Sequence, residues 1–571
     1  MDWITPLRNL TLLSIGLPIA VCTTASSGSL ACLRDVRFYA VLYASWWFHF
    51  LLWALYRVFV HPKHLSSLRH LPEPTEGRSW WNGYARQAYA SMRGSAIANW
   101  QTTLSHHGVF RYLGLFNSER LVVTAPEAVM EVLRRIDEFI QPELLSLLAS
   151  PVIGRGLVLL NGEEHKRHRR LLQPSFAPRQ IRALQPLFWS KAREVTDILS
   201  NLIDTSAAIP SGFSPPIEVD YYAGLVALDV ISVAALGVDF GALRHPDADL
   251  IRYYRDTFNP SFTFLAMSFL RLLFPRVLVE SMPLRRIREG KTAIRLLRQT
   301  CTDSVREKQR AMARGELHTR DIISTLVRDR HIDNEDELVV HMMMMLGAGH
   351  ETVAVGITWA LYEFCRRPEW QKHVRAEIRA QVPSPESNAE DLDSASLDMD
   401  AEHMPFLNAF VSEVLRYWPP APQIVRTAAV DTTLAGVVVP ASTKIQLSIV
   451  AFNRDPQNWG PDAAEFSPWR WLQNKEGSAA GGTPSVTYDA TGGALHKHAM
   501  MTFIHGPRDC IGRMFARQEM LTILAAWMGR FEFVLTEQEC LDEKRVAVSG
   551  SGITSKPLHG IHVHARRVDG W

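Results

Sequence analysis

The run NEDELVVHMMMMLGAGHETVAVGITWALYEFCRR, residues 334–367, constrains this chain more than any other stretch. It reads as one helix. Asn334 can cap its start, and Glu335, Asp336 and Glu337 suit the positive end of the helix dipole. Arg366 and Arg367 suit the other end, and Pro368 stops it. At about 1.5 Å per residue the helix is on the order of 50 Å long. It is apolar on nearly every side, so it has to be buried, and only a large body can surround it. A chain of 571 residues, 47% of them hydrophobic, can supply that body.

The middle of the run, GAGHET at 347–352, works against a buried helix. Two glycines weaken it by roughly 1 kcal/mol each. His350, Glu351 and Thr352 then place polar atoms among apolar ones, which costs free energy unless they are satisfied. Two readings stand. In one, Thr352 kinks the helix by bonding back to a carbonyl one turn earlier. In the other, the glycines open room for a ligand, and Glu351 and Thr352 serve it.

Ahead of the body lies FYAVLYASWWFHFLLWALY, residues 38–56, close to the roughly 20 apolar residues a membrane-crossing helix needs. Its tyrosines and tryptophans suit a membrane interface. A weaker apolar stretch, 9–24, is broken by Gly16 and Pro18 and reads as a second candidate or a cleaved signal. Residues 1–60 are therefore expected to anchor the chain. Residues 61–84, with Pro62, Pro72 and Pro74, form a stiff and extended hinge, and 85–571 form the body. Helical spacing dominates that body. Short β-like runs occur at 119–124 and 434–450, and loops are expected at 205–216, 383–400 and 473–497.

A net charge of +2 and the absence of a basic tract argue against a nucleic-acid partner. Six scattered cysteines, with no CxxC pair, argue against a disulfide framework and a cysteine-built zinc site.

Three further motifs carry chemistry. In FLNAFVSEVLRYW, 406–418, Leu407, Phe410, Val411, Val414 and Trp418 share one face, and Glu413 and Arg416 can pair on the opposite one. FSPWRW, 466–471, wedges Arg470 among aromatics, where a part-buried guanidinium needs a carboxylate. Glu413 is the partner on offer. FIHGPRDCIG, 503–512, places Cys510 two residues after Arg508 and just ahead of a helix, surroundings that favour a thiolate. A plain buried cysteine in a turn is the bland alternative. Gly506 and Gly512 would let backbone approach a large flat ligand.

In this order along the chain, these motifs resemble those of the cytochrome P450 superfamily. Phe503, Gly506, Arg508, Cys510 and Gly512 resemble its haem-binding loop, and AGHET its oxygen-activating segment. Glu413, Arg416 and Arg470 resemble its ion-pair triad, RDPQNWGPDAAEF at 454–466 the approach to FSPWRW, and HRRLLQPSF at 168–176 its haem-propionate helix. The resemblance covers roughly residues 60–565 and departs at His165, where the family often has tryptophan.

The resemblance implies a mainly α fold with small β-sheets and an N-terminal transmembrane helix. It implies haem b with Cys510 as axial thiolate, and Arg169, Arg426 and Arg508 at the propionates. Ala348 and Gly349 would leave room for oxygen, and Thr352 would relay protons with Glu351 beside it. Ile424, Val425 and Ile553 would face a hydrophobic substrate, such as a terpenoid, steroid or polyketide. An NADPH-cytochrome P450 reductase would supply electrons at the endoplasmic reticulum membrane, with the body in the cytosol. The look is that of a fungal monooxygenase of secondary metabolite biosynthesis. The alternatives are a haem-thiolate isomerase or dehydratase that does not activate dioxygen, and a non-catalytic haem protein.

Overall fold

The structure is a computed structural model, and it describes residues 36–90, 95–204, 213–258, 285–317, 321–328, 334–382, 399–474, 486–549 and 554–571. The apolar stretch 9–24, most of the expected loops 205–216 and 383–400, and Ile553 lie outside the described residues. The described residues are mostly helical, with small sheets. They form two compact units.

The smaller unit comprises Met1–Ala88, Trp100–Leu144 and Val425–Leu447. Its helix Val36–Leu55 contains nearly all of the apolar span, and Tyr43, Phe48, Leu51, Leu52 and Leu55 are exposed along it. The hinge is not extended at its start. Tyr56–Leu65 continues as π-helix around Pro62 and a short 3-10 turn follows at Ser67–His70. Proline cannot donate to the normal helical ladder, and a widened turn accommodates it. A five-stranded sheet has the order Val109–Leu113, Glu119–Val123, Lys444–Ser448, Gln423–Ala428, Phe139–Ile140. The β-like run 434–450 is broken by Ala435 and Gly436, both at positive φ, which turn Thr432–Leu434 back onto Val437–Val439.

The larger unit comprises Tyr89–Asn99, Leu145–Ile424 and Ser448–Trp571. The helix Glu335–Arg366 runs through its core. Asn334 caps the helix, accepting from the N–H groups of Asp336 and Glu337, and Pro368 opens the next helix, Pro368–Gln381. This central helix and the segment Val219–Leu236 are both apolar enough to cross a membrane, but 67% and 72% of their apolar windows are buried inside the protein, so they are core helices. Stacked rings brace the core: Trp359 lies on Trp418 at 3.9 Å and Phe364 on Phe410 at 3.7 Å. The expected loop 473–497 contributes a small hairpin, Leu472–Asn474 with Val486–Tyr488.

Candidate functional site

The central helix is buried on both sides of its polar interruption. Leu338, Val339 and Met342–Leu346 are buried before it and Val353–Cys365 after it, whereas Ala348 is exposed and Gly347, Gly349, Glu351 and Thr352 are half-buried. The Thr352 hydroxyl donates to the Ala348 carbonyl at 2.9 Å, the local bond that the bland reading expects. Gly349 serves helix packing. A Cβ there would meet Ile231 Cγ1 at 2.9 Å, so the missing side chain lets helix Val219–Ile231 pack closely. Glu351 Oε1 accepts from the Thr554 hydroxyl at 2.8 Å and lies 3.9 Å from Lys556 Nζ. Burial pushes the Glu351 carboxyl up from its ordinary range, and Lys556 and Thr554 hold it down.

The cysteine loop is closed by one backbone bond, Cys510 N–H to the Phe503 carbonyl at 2.8 Å. Gly506 sits at φ +79° and opens the turn Gly506–Arg508, and Ile504 takes φ +60°, a strained place for a β-branched residue. Such strain persists only where surrounding structure dictates it. The helix Arg513–Arg530 starts three residues after the cysteine, with Gly512 at its N-cap. It packs on the central helix, where Gly356 leaves space for Met520.

Cys510 is solvent-accessible, yet protein surrounds it closely enough that burial is the largest influence on its thiol. Burial pushes the thiol up. A bond from the Gly512 N–H and the charges of Arg513 and Arg169 pull it back, against Asp509. Among the other described cysteines, Cys301 and Cys365 are buried outright and Cys540 is half-buried. A planar haem with a thiolate ligand fits this donor set: an accessible sulfur at the head of a helix, beside cations, in the unit whose core helix opens at Ala348.

The expected propionate arginines are engaged with protein. Arg169 donates to the Asp509 carbonyl at 2.5 Å and to Asp509 Oδ1 at 2.6 Å. Arg508 is buried and donates to the Leu160 carbonyl at 2.6 Å and Asn161 Oδ1 at 3.0 Å. Arg426 lies in the smaller unit beside half-buried Val425 and donates to Gln141 Oε1 at 3.0 Å, and half-buried Ile424 closes the other unit's span. His165, at the usual tryptophan position, is buried.

The ion-pair helix, Pro405–Tyr417, is buried on every side from Leu407 onward, so Glu413 and Arg416 are not on a solvated face. Both side chains are 0% exposed. Arg416 donates to Glu413 through Nε at 2.8 Å and Nη2 at 2.7 Å. Arg470 Nε reaches Glu413 Oε1 at 3.4 Å. Donors not foreseen from sequence finish the shell: Ser467 N–H at 2.7 Å and Trp471 Nε1 at 3.0 Å. Thr554 and Lys556 were equally missed. The one available signal was their place directly after Ile553, in a segment already assigned to the site by resemblance.

A thiol at the head of a helix and a polar break in the core helix beside that helix suit a haem-thiolate protein. The comparisons with known proteins agree with it. The family model "Cytochrome P450" matches residues 72–559. The chain is 38% identical to the cytochrome P450 monooxygenase buaD of Petromyces alliaceus, covering 91% of this chain and 92% of that protein. It is 33% identical to the cytochrome P450 monooxygenase sphH of Aspergillus fumigatus, covering 90% and 91%. A third relative, the cytochrome P450 monooxygenase ptmK of Penicillium ochrochloron, is 30% identical, with 90% and 96% covered.

This chain belongs to the cytochrome P450 family. It is a monooxygenase, an oxidoreductase whose cofactor is haem with an axial cysteine thiolate. Like the family at large it takes electrons from a redox partner and acts on a hydrophobic substrate.

Proposed function

We propose that Cys510 is the axial ligand and that the enzyme oxidises a hydrophobic small molecule of terpenoid, steroid or polyketide kind in fungal specialised metabolism. What carries this reading is the Cys510 thiol, accessible in a strained loop at a helix head, while Cys301 and Cys365 are sealed in the core. Haem, when bound, supplies the electron transfer and oxygen activation that a thiolate ligand favours. The protein's own residues do the rest. Gly512 N–H, Arg513 and Arg169 stabilise negative charge on the sulfur. Ala348 leaves the helix surface open, Thr352 holds a hydroxyl there, and Glu351 carries a carboxyl group able to hold and give up a proton. The apolar character of Ile424, Val425 and Ile553 in the sequence suits a hydrophobic substrate.

Residues 38–56 anchor the protein in the endoplasmic reticulum membrane, with the catalytic body in the cytosol beside an NADPH-cytochrome P450 reductase. The support is a continuous helix over this span that leaves large apolar side chains exposed.

The deciding experiment is the carbon monoxide difference spectrum of the reduced protein. Wild type should show the strongly red-shifted Soret band of thiolate ligation, and Cys510→Ala should lose it together with all turnover. Retention of the band in Cys510→Ala, with loss in Cys301→Ala, Cys365→Ala or Cys540→Ala, would move the ligand elsewhere.

A further inference from the structure

Glu351 is held by one oxygen only. The Thr554 hydroxyl at 2.8 Å and the Lys556 ammonium at 3.9 Å both address Oε1. Oε2 accepts no hydrogen bond among the described residues. The two anchoring residues sit on backbone that cannot drift. Between them, Ser555 donates its N–H to the Pro420 carbonyl at 2.8 Å and its hydroxyl to the Pro419 carbonyl at 2.7 Å. Its own carbonyl accepts from Trp359 Nε1 at 2.7 Å. Trp359 belongs to the same helix as Glu351, two turns on, and its ring is clamped against Trp418. The helix that carries the carboxyl group thus also fixes the segment that anchors it.

Two other titratable groups nearby hold fixed charge states. His350 is pushed down to about 3 by burial, with Lys556 adding to the effect, so it is neutral. Its Nδ1 lies 3.2 Å from the hydroxyl of Tyr254, and burial keeps that tyrosine protonated. Lys556 acts on two carboxyl groups here, Glu351 and the half-buried Asp220, and burial pushes both of them up.

We propose that Thr554 and Lys556 are positioning residues for the proton step: they clamp Oε1 of Glu351 and leave Oε2 as the single face through which the carboxyl group exchanges its proton. A proton arrives from water, rests on Oε2, and leaves through that oxygen, so the carboxylate is regenerated and no bond other than O–H forms or breaks. A carboxyl free to rotate would offer either oxygen and spend time turned away. The inference rests on the monooxygenase reading and on Glu351 acting in proton delivery.

The test uses the full-length, haem-loaded protein with carbon monoxide as the probe. Infrared difference spectra on photolysis report the protonated carboxyl band of Glu351, assigned by its loss in Glu351→Gln. Labelling with carboxyl-13C glutamate, together with Glu351→Asp, assigns the band should Glu351→Gln not load haem. The quantity read is the pH midpoint at which the band disappears. Thr554→Val and Lys556→Met each remove an interaction that favours the charged carboxylate, so each should raise that midpoint, by about one pH unit. Thr554→Ser keeps the hydroxyl and should leave it where it is. An unmoved midpoint in Thr554→Val overturns the proposal. So does an equal movement in Thr554→Ser, which would reduce the contact to packing. Failure of the underlying reading looks different: the wild-type protein would lack the red-shifted carbon monoxide band from the outset.

Discussion

A buried and a half-buried glutamate on neighbouring helices of the larger unit are treated in opposite ways. Glu413 has both oxygens used: Arg416 Nη2, the Ser467 N–H and Arg470 donate to Oε1, and Arg416 Nε and Trp471 Nε1 donate to Oε2. Arg416 is completed in turn by the carbonyls of Asn453, Ala463 and Glu465 at 2.6–2.8 Å. Glu351 has one oxygen anchored and one without a bond. A closed network has nothing left to give, and its energy goes into fixing the loops around it. An open carboxyl group is a weaker strut, but it still has a site for a proton. Satisfaction and burial together separate the structural charge from the working one.

The strongest way to break this contrast is Glu413→Ala. It strands the buried Arg416 guanidinium, while Arg470 keeps Asp462 at 2.9 Å, and should cost about 3–5 kcal/mol, read as a collapse in haem-loaded yield and a lower Tm. The matching Glu351→Ala should leave Tm and haem content near wild type, because it frees only a hydroxyl and a part-exposed ammonium. Equal losses from the two substitutions would erase the distinction.

Thr352→Ala is the next in size, and its effect falls on chemistry. Haem binding and the carbon monoxide spectrum should stay as they are. The ratio of product formed to NADPH oxidised, measured with reductase and substrate, should fall about tenfold or more, at or beneath the low end of what one positioned proton-transfer group contributes. An unchanged ratio would return Thr352 to its observed bond with Ala348 and to a purely local role.

Trp471→Phe sharpens the other side. It removes one of the two donors to Glu413 Oε2 and keeps the ring, so a loss of about 1.5 kcal/mol in denaturant titration is expected, with turnover per haem unaltered. Deleting residues 1–60 should disturb the contrast least. Asn117 loses its bond to the Val58 carbonyl, worth about 1 kcal/mol. Haem content should hold while membrane association falls. Full retention on membranes after a high-salt wash would show a second contact.

Much of this was legible in the chain itself. The central helix announced both its ends, because capping and dipole rules act within one turn of Asn334 and Arg366. The Glu413 and Arg416 pair could be read from spacing, and Arg470 from its aromatic neighbours. Periodicity failed at the helix Pro405–Tyr417, where the pattern suggested one wet face and the structure has none. A two-faced pattern cannot reveal that a polar face is dry when its partners come from residues some fifty positions away. The same limit hid Thr554 and Lys556, and Asp509, which occupies Arg169. The packing of Gly349 was hidden for a related reason: Ile231, which its missing side chain admits, lies on a helix more than a hundred residues earlier.

The graded burial of the thiols gives the chain a built-in chemical gauge. Cys301 is pushed up to about 12 and Cys365 is likewise raised by burial, so both resist alkylation. Cys540 is half-buried, with its Sγ 3.5 Å from Glu537 Oε2 and its thiol raised. Cys510 alone among the described cysteines combines access with flanking cations. Among the four described cysteines, a maleimide added to protein stripped of its cofactor should therefore tag the peptide that holds residue 510 first. The same peptide should stay unlabelled once the sulfur is ligated, so mass spectrometry of that one fragment counts loaded molecules without any spectrum of the pigment.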